Sequence, residues 1–130
     1  MTLYDSSVVI DYLAGQSAAV EYVSTHSGDT AHILPLALFE VYQGEVFKSG
    51  PADFAAVDDA LSWLTVVDET AAIARAAGEL QDALRTDGTP LAARDGFIAG
   101  AAVARDERLV VADSDFDVPG LGARISIELI

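Results

Sequence analysis

Apolar residues along this chain alternate between short runs of strand length and longer stretches at helical spacing. Thr2-Leu3-Tyr4 is a short predicted strand ending at Asp5, with Ser6 as the expected N-cap of the next helix. Val8, Val9, Tyr12 and Leu13 recur at helical spacing, and Gly15 stops that helix. Ala18 to Ser24 predicts a second, short helix, closed by the polar stretch Thr25 to Thr30. Ala31 to Leu34 is an apolar run of strand length, and Pro35 suits the first turn of a helix running to about Phe47, with Glu40 one turn inside it. Ser49-Gly50-Pro51 breaks that helix, Asp53 to Leu61 predicts another, and Trp63 to Val67 reads as a third strand. An alanine-rich helix is expected over Thr70 to Leu84, with Glu69 at its start and Arg85 near its end as the helix dipole prefers. After the turn Asp87-Gly88-Thr89-Pro90 come a helix over Arg94 to Ala104, a fourth strand over Leu109 to Ala112 and a candidate fifth over Ile125 to Ile130. Strands alternating with helices predict one α/β domain over residues 1–130. It should have a central, mainly parallel sheet of four or five strands with helices on both faces, a three-layer α/β/α arrangement. No repeat, low-complexity segment or linker divides it.

Composition changes this picture in two respects. No apolar run approaches the ~20 residues that span a bilayer, and the beginning, MTLYDSSVVIDYLAG, lacks the basic segment of a secretory leader. With no cysteine for disulfides or thiolate zinc sites, the expected location is the cytoplasm. The charge is extreme: 21 acids face 7 basic residues, for a net charge of −14, and Lys48 is the sole lysine. Such a surface ordinarily repels nucleic acid. Few lysines, many aspartates and abundant Ala, Val and Gly match a halophile-like surface, for which molar salt shrinks the screening length to about 3 Å and removes most repulsion. An RNA substrate is then not excluded, and a basic protein partner is favoured.

Within the predicted fold the acids fall in a pattern. In open α/β sheets ligands collect beyond the carboxyl ends of the strands. Asp5 ends the first strand, Asp113 follows the fourth, Glu40 lies one turn into the helix after the second, and Asp95 heads the helix leading into the fourth. With strands one, two and four adjacent, the four converge on one edge, where mutual repulsion calls for a hard divalent cation, Mg²⁺ or Mn²⁺. Each acid also has a plainer reading: Asp5 as a helix cap, Glu40 as a solvated helix acid, Asp95 as a first-turn acid worth ~1 kcal/mol, and Asp113, Asp115 and Asp117 as a polar loop. A calcium hand is excluded by Val118 and Arg124 where glycine and glutamate are required.

Four segments in order, YDSSVVIDYL, LALFEVYQG, ARDGFIAGAA and ERLVVADSDFDVPGL, cover nearly the whole chain. In them the sequence resembles the PIN-domain family, and within it the small ribonuclease toxins of the VapC type. The resemblance implies a PIN-like fold and an Mg²⁺- or Mn²⁺-dependent endoribonuclease that cleaves RNA with a metal-activated water. It maps the family's four acids onto Asp5, Glu40, Asp95 and Asp113, as catalytic residues and metal ligands, with Asp115 as a further ligand or water-holding group and Phe116 as the aromatic that anchors its loop. It also implies a small antitoxin partner with a basic segment, and a homodimer. One departure stands out: Val111-Ala112 occupy the end of strand four where the family often has threonine or serine, and Ser6, Ser7 and Ser114 are the hydroxyls available to compensate.

Other residues are read more plainly. His26 and His32 are expected to be structural or on the surface, Arg94 an exposed arginine at a helix start or a phosphate contact, and Asp11 solvent-facing. Tyr12, Tyr42 and Phe47 are expected in the core or an interface. Gly96, Gly100 and Ala104 repeat at four-residue spacing and are expected to let their helix lie close on the sheet. The competing functions are a PIN nuclease of RNA processing without an antitoxin, and a catalytically silent PIN-like binding module. A phosphoacceptor receiver domain ranks below these, because Lys48 is too early in the chain to supply the lysine it needs.

Overall fold

Strand order is what places the acids. The computed structural model describes residues 1–130. Its five strands are β1 (Thr2–Tyr4), β2 (Ala31–Ile33), β3 (Thr65–Val66), β4 (Arg108–Val111) and β5 (Ile127–Leu129), hydrogen-bonded in the order β3-β2-β1-β4-β5. All four pairings are parallel. The chain winds outward from β1 to β3 on one side, then returns to place β4 against β1 on the other. The order therefore reverses between β1 and β4, and that switch point is where such sheets open a crevice.

Both faces of the sheet are covered, and the residues of its central strands are accordingly buried throughout except Arg108 at the start of β4. On β1, Leu3 enters one core and Tyr4 the other; on β4, Leu109 and Val111 enter the first and Val110 the second. The first core joins the sheet to α5 (Ala71–Thr86) and α6 (Ala93–Arg105) through Ile73, Leu80, Leu84 and Ile98. The second joins it to α1 (Ser6–Leu13), α2 (Ser17–Thr25), α3 (Pro35–Val46) and α4 (Phe54–Ala60) through Val8, Val9, Tyr22, Val41 and Val57. A short helix, α7 (Pro119–Gly122), precedes β5. No helix is long and apolar enough to cross a membrane.

Three local expectations are corrected. Asp5, not Ser6, caps α1: its backbone is extended and its carboxylate accepts from the Ser7 N–H at 3.2 Å. β3 is shorter than its aromatic, β-branched run suggests. Trp63 falls outside it and packs edge-on against Tyr4 and Tyr12, at centroid distances of 5.3 and 5.1 Å. The small-residue stripe of α6 faces α5 rather than the sheet. A Cβ at Gly100 would lie 2.3 Å from the Ala77 Cα, one at Gly96 would lie 2.7 Å from the Gln81 amide, and Ala104 is exposed.

Gln81 clasps the α5–α6 junction. It donates to the Leu91 carbonyl at 2.7 Å and accepts from the Leu91 N–H at 2.9 Å, closing both backbone groups of the residue two positions before α6. This fixes where the first turn of α6, with Arg94 and Asp95, enters the sheet edge.

Candidate active site

Four elements deliver side chains to the crevice beyond β1 and β4. Asp5 leaves β1 and is buried, with its two oxygens divided between two tasks. Oδ2 receives the Ser7 hydroxyl at 2.5 Å, and Ser7 Oγ in turn accepts the Ala112 N–H at 3.0 Å. Ser7 thus ties the end of β1 to the end of β4. Of the three serines available to supply a hydroxyl at Val111-Ala112, Ser7 is the one that contacts this strand end, through the Ala112 N–H and Asp5 rather than through Asp113. Asp5 Oδ1 is left facing the crevice, where it meets Arg94 Nη2 at 2.8 Å.

Arg94 is the centre of the arrangement. Its guanidinium donates to both oxygens of Glu40 from Nε, at 2.9 and 2.8 Å, and from Nη2 to Glu40 Oε1 at 2.5 Å. Nη1 reaches Asp95 Oδ1 at 2.6 Å, and Nη2 also donates to Ser6 Oγ at 2.7 Å. The Ser6 hydroxyl in turn donates a hydrogen bond to Glu40 Oε1 at 3.2 Å. The expectation of an exposed arginine is corrected: the side chain is only 28 % exposed, drawn inward by three carboxylates. The residue types carried the missed signal. In a chain with so few cations, the basic residue beside Asp95 is the natural neutraliser of acids brought to the same edge.

Charge and burial shift the pKa values of Arg94 and Asp95. Burial works to lower the Arg94 pKa, but the hydrogen bonds to Glu40, the charge of Asp5 and the bond to Asp95 outweigh it and hold the guanidinium well above its ordinary value. Burial pushes the Asp95 carboxyl up; the hydrogen bond and charge of Arg94 pull it down, and the charges of Asp5 and Asp113 push it up again. Asp113 therefore acts on the same cluster without touching Arg94. It caps the 3₁₀ turn Ser114–Phe116, accepting the Asp115 N–H at 2.9 Å, and that turn is anchored by buried Phe116. Asp115 itself is exposed.

No three acidic or histidine side chains are gathered tightly enough to hold an ion as they stand. The donor set nevertheless fits a hard cation. It consists of carboxylate oxygens from Asp5, Glu40, Asp95 and Asp113, only partly offset by one guanidinium, and its most buried members come from elements fixed by the sheet. The histidines take no part. His26 Nδ1 donates to the Tyr22 carbonyl at 2.8 Å and its ring stacks on Tyr22, whereas His32 bonds buried Glu107.

The PIN domain model matches residues 2–120 of the sequence. The chain belongs to the PIN domain family. No curated protein matches it in sequence, but solved structures do match it in shape. VapBC2 from Rickettsia felis, solved bound to a DNA fragment from their promoter, superposes with a TM-score of 0.81 at 20 % identity, covering 98 % of this chain and 97 % of that one. DNA-bound VapBC from Salmonella typhimurium gives 0.78 at 24 % identity over 98 % and 96 % of the two chains. VapBC-5 from Mycobacterium tuberculosis, of the VapBC family of toxin–antitoxin systems, gives 0.61 at 22 % over 99 % and 96 %. At these identities the likeness establishes the PIN fold.

Proposed function

We propose that this PIN domain is a divalent-metal-dependent endoribonuclease of the VapC type, the toxin of a toxin–antitoxin pair. The observation that carries the reading is the convergence of Asp5, Glu40 and Asp95 on the Arg94 guanidinium at the sheet's switch point, with the charge of Asp113 acting on Asp95. Asp5, Glu40, Asp95 and Asp113 would hold Mg²⁺ or Mn²⁺, with exposed Asp115 as a further ligand at the mouth. A bound ion of this kind lowers the pKa of a water and offsets charge on a scissile phosphate. The chain's own residues orient the ligands. Ser7 fixes which Asp5 oxygen faces the crevice, Ser6 steadies Glu40, and the Gln81 clasp on Leu91 sets the entry of Asp95.

Support for a toxin comes from structural neighbours solved as toxin–antitoxin complexes. A surface groove of about 580 Å³ between α3 and α4 supports a protein partner. Phe39, Val46, Phe47 and Phe54 line it and stand exposed, with Asp58 at its margin. An antitoxin segment with apolar residues to fill that groove and basic residues to meet a −14 chain suits it. A homodimer, a cytoplasmic setting and a surface suited to molar salt belong to the same proposal. One observation favours a second reading, a catalytically silent PIN-like module: Arg94 already neutralises part of the acid cluster.

The deciding experiment incubates the purified chain with structured RNAs in high salt, with Mg²⁺ or Mn²⁺ against chelator, beside Asp95→Asn. Metal-dependent cleavage lost in the variant is expected. Equal cleavage by both proteins would sink the four-acid assignment, and no cleavage in any metal would favour the silent module. Growth arrest on expression of the chain alone, relieved by a neighbouring basic partner, tests the toxin role.

A further inference from the structure

The cluster's resident cation belongs to the chain. Asp5 Oδ1, Glu40 Oε1 and Asp95 Oδ1 come from three different elements, yet all accept from Arg94, at 2.8, 2.5 and 2.6 Å. A guanidinium presents its donors on a planar fork, so these oxygens are spread around a flat group. A magnesium ion instead draws its oxygens in to about 2.0–2.1 Å in a near-octahedral array. One set of oxygens cannot serve both at once.

The attachment of Arg94 also permits exchange. Its guanidinium contacts at the cluster are all to side chains, Glu40, Asp95, Asp5 and Ser6. The side chain enters from the first turn of α6 and keeps 28 % of its surface open to water. A flexible arginine can therefore swing outward without any change in the backbone. Leaving it in place has an electrostatic reason as well. Without any cation, Asp5, Glu40 and Asp95 would face one another across a partly buried site, which is strongly unfavourable.

Building on the metal-nuclease reading above, we infer that Arg94 is a built-in competitor for the divalent ion. Its guanidinium fills the acid cluster in the ion-free protein and moves to the rim when an ion is bound. The competition lowers the chain's affinity for metal and keeps the cluster assembled until metal is available.

The test measures metal binding, not cleavage. Mn²⁺ is titrated calorimetrically into the wild-type chain, Arg94→Met and Arg94→Lys at one fixed high salt concentration. Removing the charge in Arg94→Met should tighten Mn²⁺ binding about tenfold or more, with Arg94→Lys between it and wild type. In parallel, the Arg94 Nε–Hε resonance of the wild-type chain is followed by NMR as Mg²⁺ is added. It should be protected from solvent exchange without the ion and lose that protection as the ion binds. This second measurement needs no variant, so a poorly folding Arg94→Met leaves the inference exposed to refutation. Equal or weaker Mn²⁺ binding in a folded Arg94→Met, or an Nε–Hε resonance unmoved at saturating Mg²⁺, overturns the competition while leaving the metal reading standing. Absence of binding to any of the proteins overturns both.

Discussion

At the amino end of the sheet, buried Glu107 is met by His32 Nδ1 on one oxygen and by Arg105 Nε on the other, at 3.1 Å for the latter. At the carboxyl end, Asp5, Glu40 and Asp95 share Arg94 alone, and the charge of Asp113 bears on Asp95 too. Both edges bury carboxylates next to arginine. The first gives one acid two basic groups; the second gives several acids one. A balanced cluster is satisfied by the fold and has nothing further to attract. An unbalanced one keeps a deficit of positive charge that the chain does not supply, and such a deficit marks a site rather than a strut. The helix α6 joins the two, with Asp95 in its first turn and Arg105 in its last.

The comparison breaks most readily at the amino edge. Glu107→Ala leaves His32 and Arg105 without their shared acceptor. The expected loss is about 3 kcal/mol, at the low end for a broken buried pair because Arg105 stays partly open to water. In a domain of this size that is a fall in Tm on the order of 10 °C. Cleavage per folded molecule should be unchanged. Unaltered stability in thermal denaturation would mean that this cluster is not a strut.

The opposite outcome is expected at the carboxyl edge. Asp95→Asn should reduce metal-dependent cleavage by at least about 100-fold, roughly the effect of losing one preorganised electrostatic group in an active site. Its Tm in chelator should hold or rise, because a charge is removed from an over-acidic cluster. Rates and melting curves on the same preparation separate the two effects, and a large fall in Tm would place Asp95 with Glu107 as structural.

Much of this contrast is legible in the sequence, and the reasons it stops are physical. Asp5 and Asp113 stand out because an acid directly after a short apolar run marks the end of a strand, and strand ends converge in a parallel sheet. Glu40 stands out because it sits between Phe39 and Val41 in an apolar segment. Arg94 does not, since an arginine in the first turn of a helix usually lies in water and only the tertiary fold brings Glu40, 54 residues away in sequence, against it. Glu107 is hidden for the same reason: its partner His32 comes from β2, and nothing local distinguishes it from a surface acid. The packing of α6 was half legible. The small-residue spacing of Gly96 and Gly100 announces a close approach, but which neighbour approaches, α5 or the sheet, is decided by three-dimensional packing.

Ser7 lies between the large effects and the small ones. Its hydroxyl joins Asp5 Oδ2 to the Ala112 N–H, so Ser7→Ala leaves a backbone donor at the end of β4 without its partner and frees Asp5 to rotate. A loss of about 1–2 kcal/mol is expected, with metal affinity weakened about tenfold through a misaligned ligand. Ser7→Thr should recover most of the affinity if the hydroxyl, rather than the size of the side chain, is what matters. Failure of threonine to rescue, with the protein folded, would point to packing.

The smallest effect is the sharpest probe of imbalance, because it follows one carboxyl through its titration. Burial raises the Asp95 pKa, Arg94 lowers it through hydrogen bond and charge, and Asp5 and Asp113 raise it further, with a net upward shift. Between the unfolded value of about 3.9 and the raised folded value, the folded protein therefore holds a proton that the unfolded chain has released. With more protons bound in the native state, unfolding free energy falls as pH rises. The stability contributed by this group is fully present below the unfolded pKa and lost as pH climbs through the folded one. Asp95→Asn is neutral throughout, so its Tm minus that of wild type, measured in chelator from about pH 4 to about pH 7, should grow with pH and then level off. Acids remote from Asp95 titrate alike in both proteins and cancel in the difference, whereas Asp5 and Asp113, which act on it, contribute to the same step. A difference that stays flat would mean that Arg94 already compensates Asp95 fully, and the two edges of the sheet would then be balanced alike.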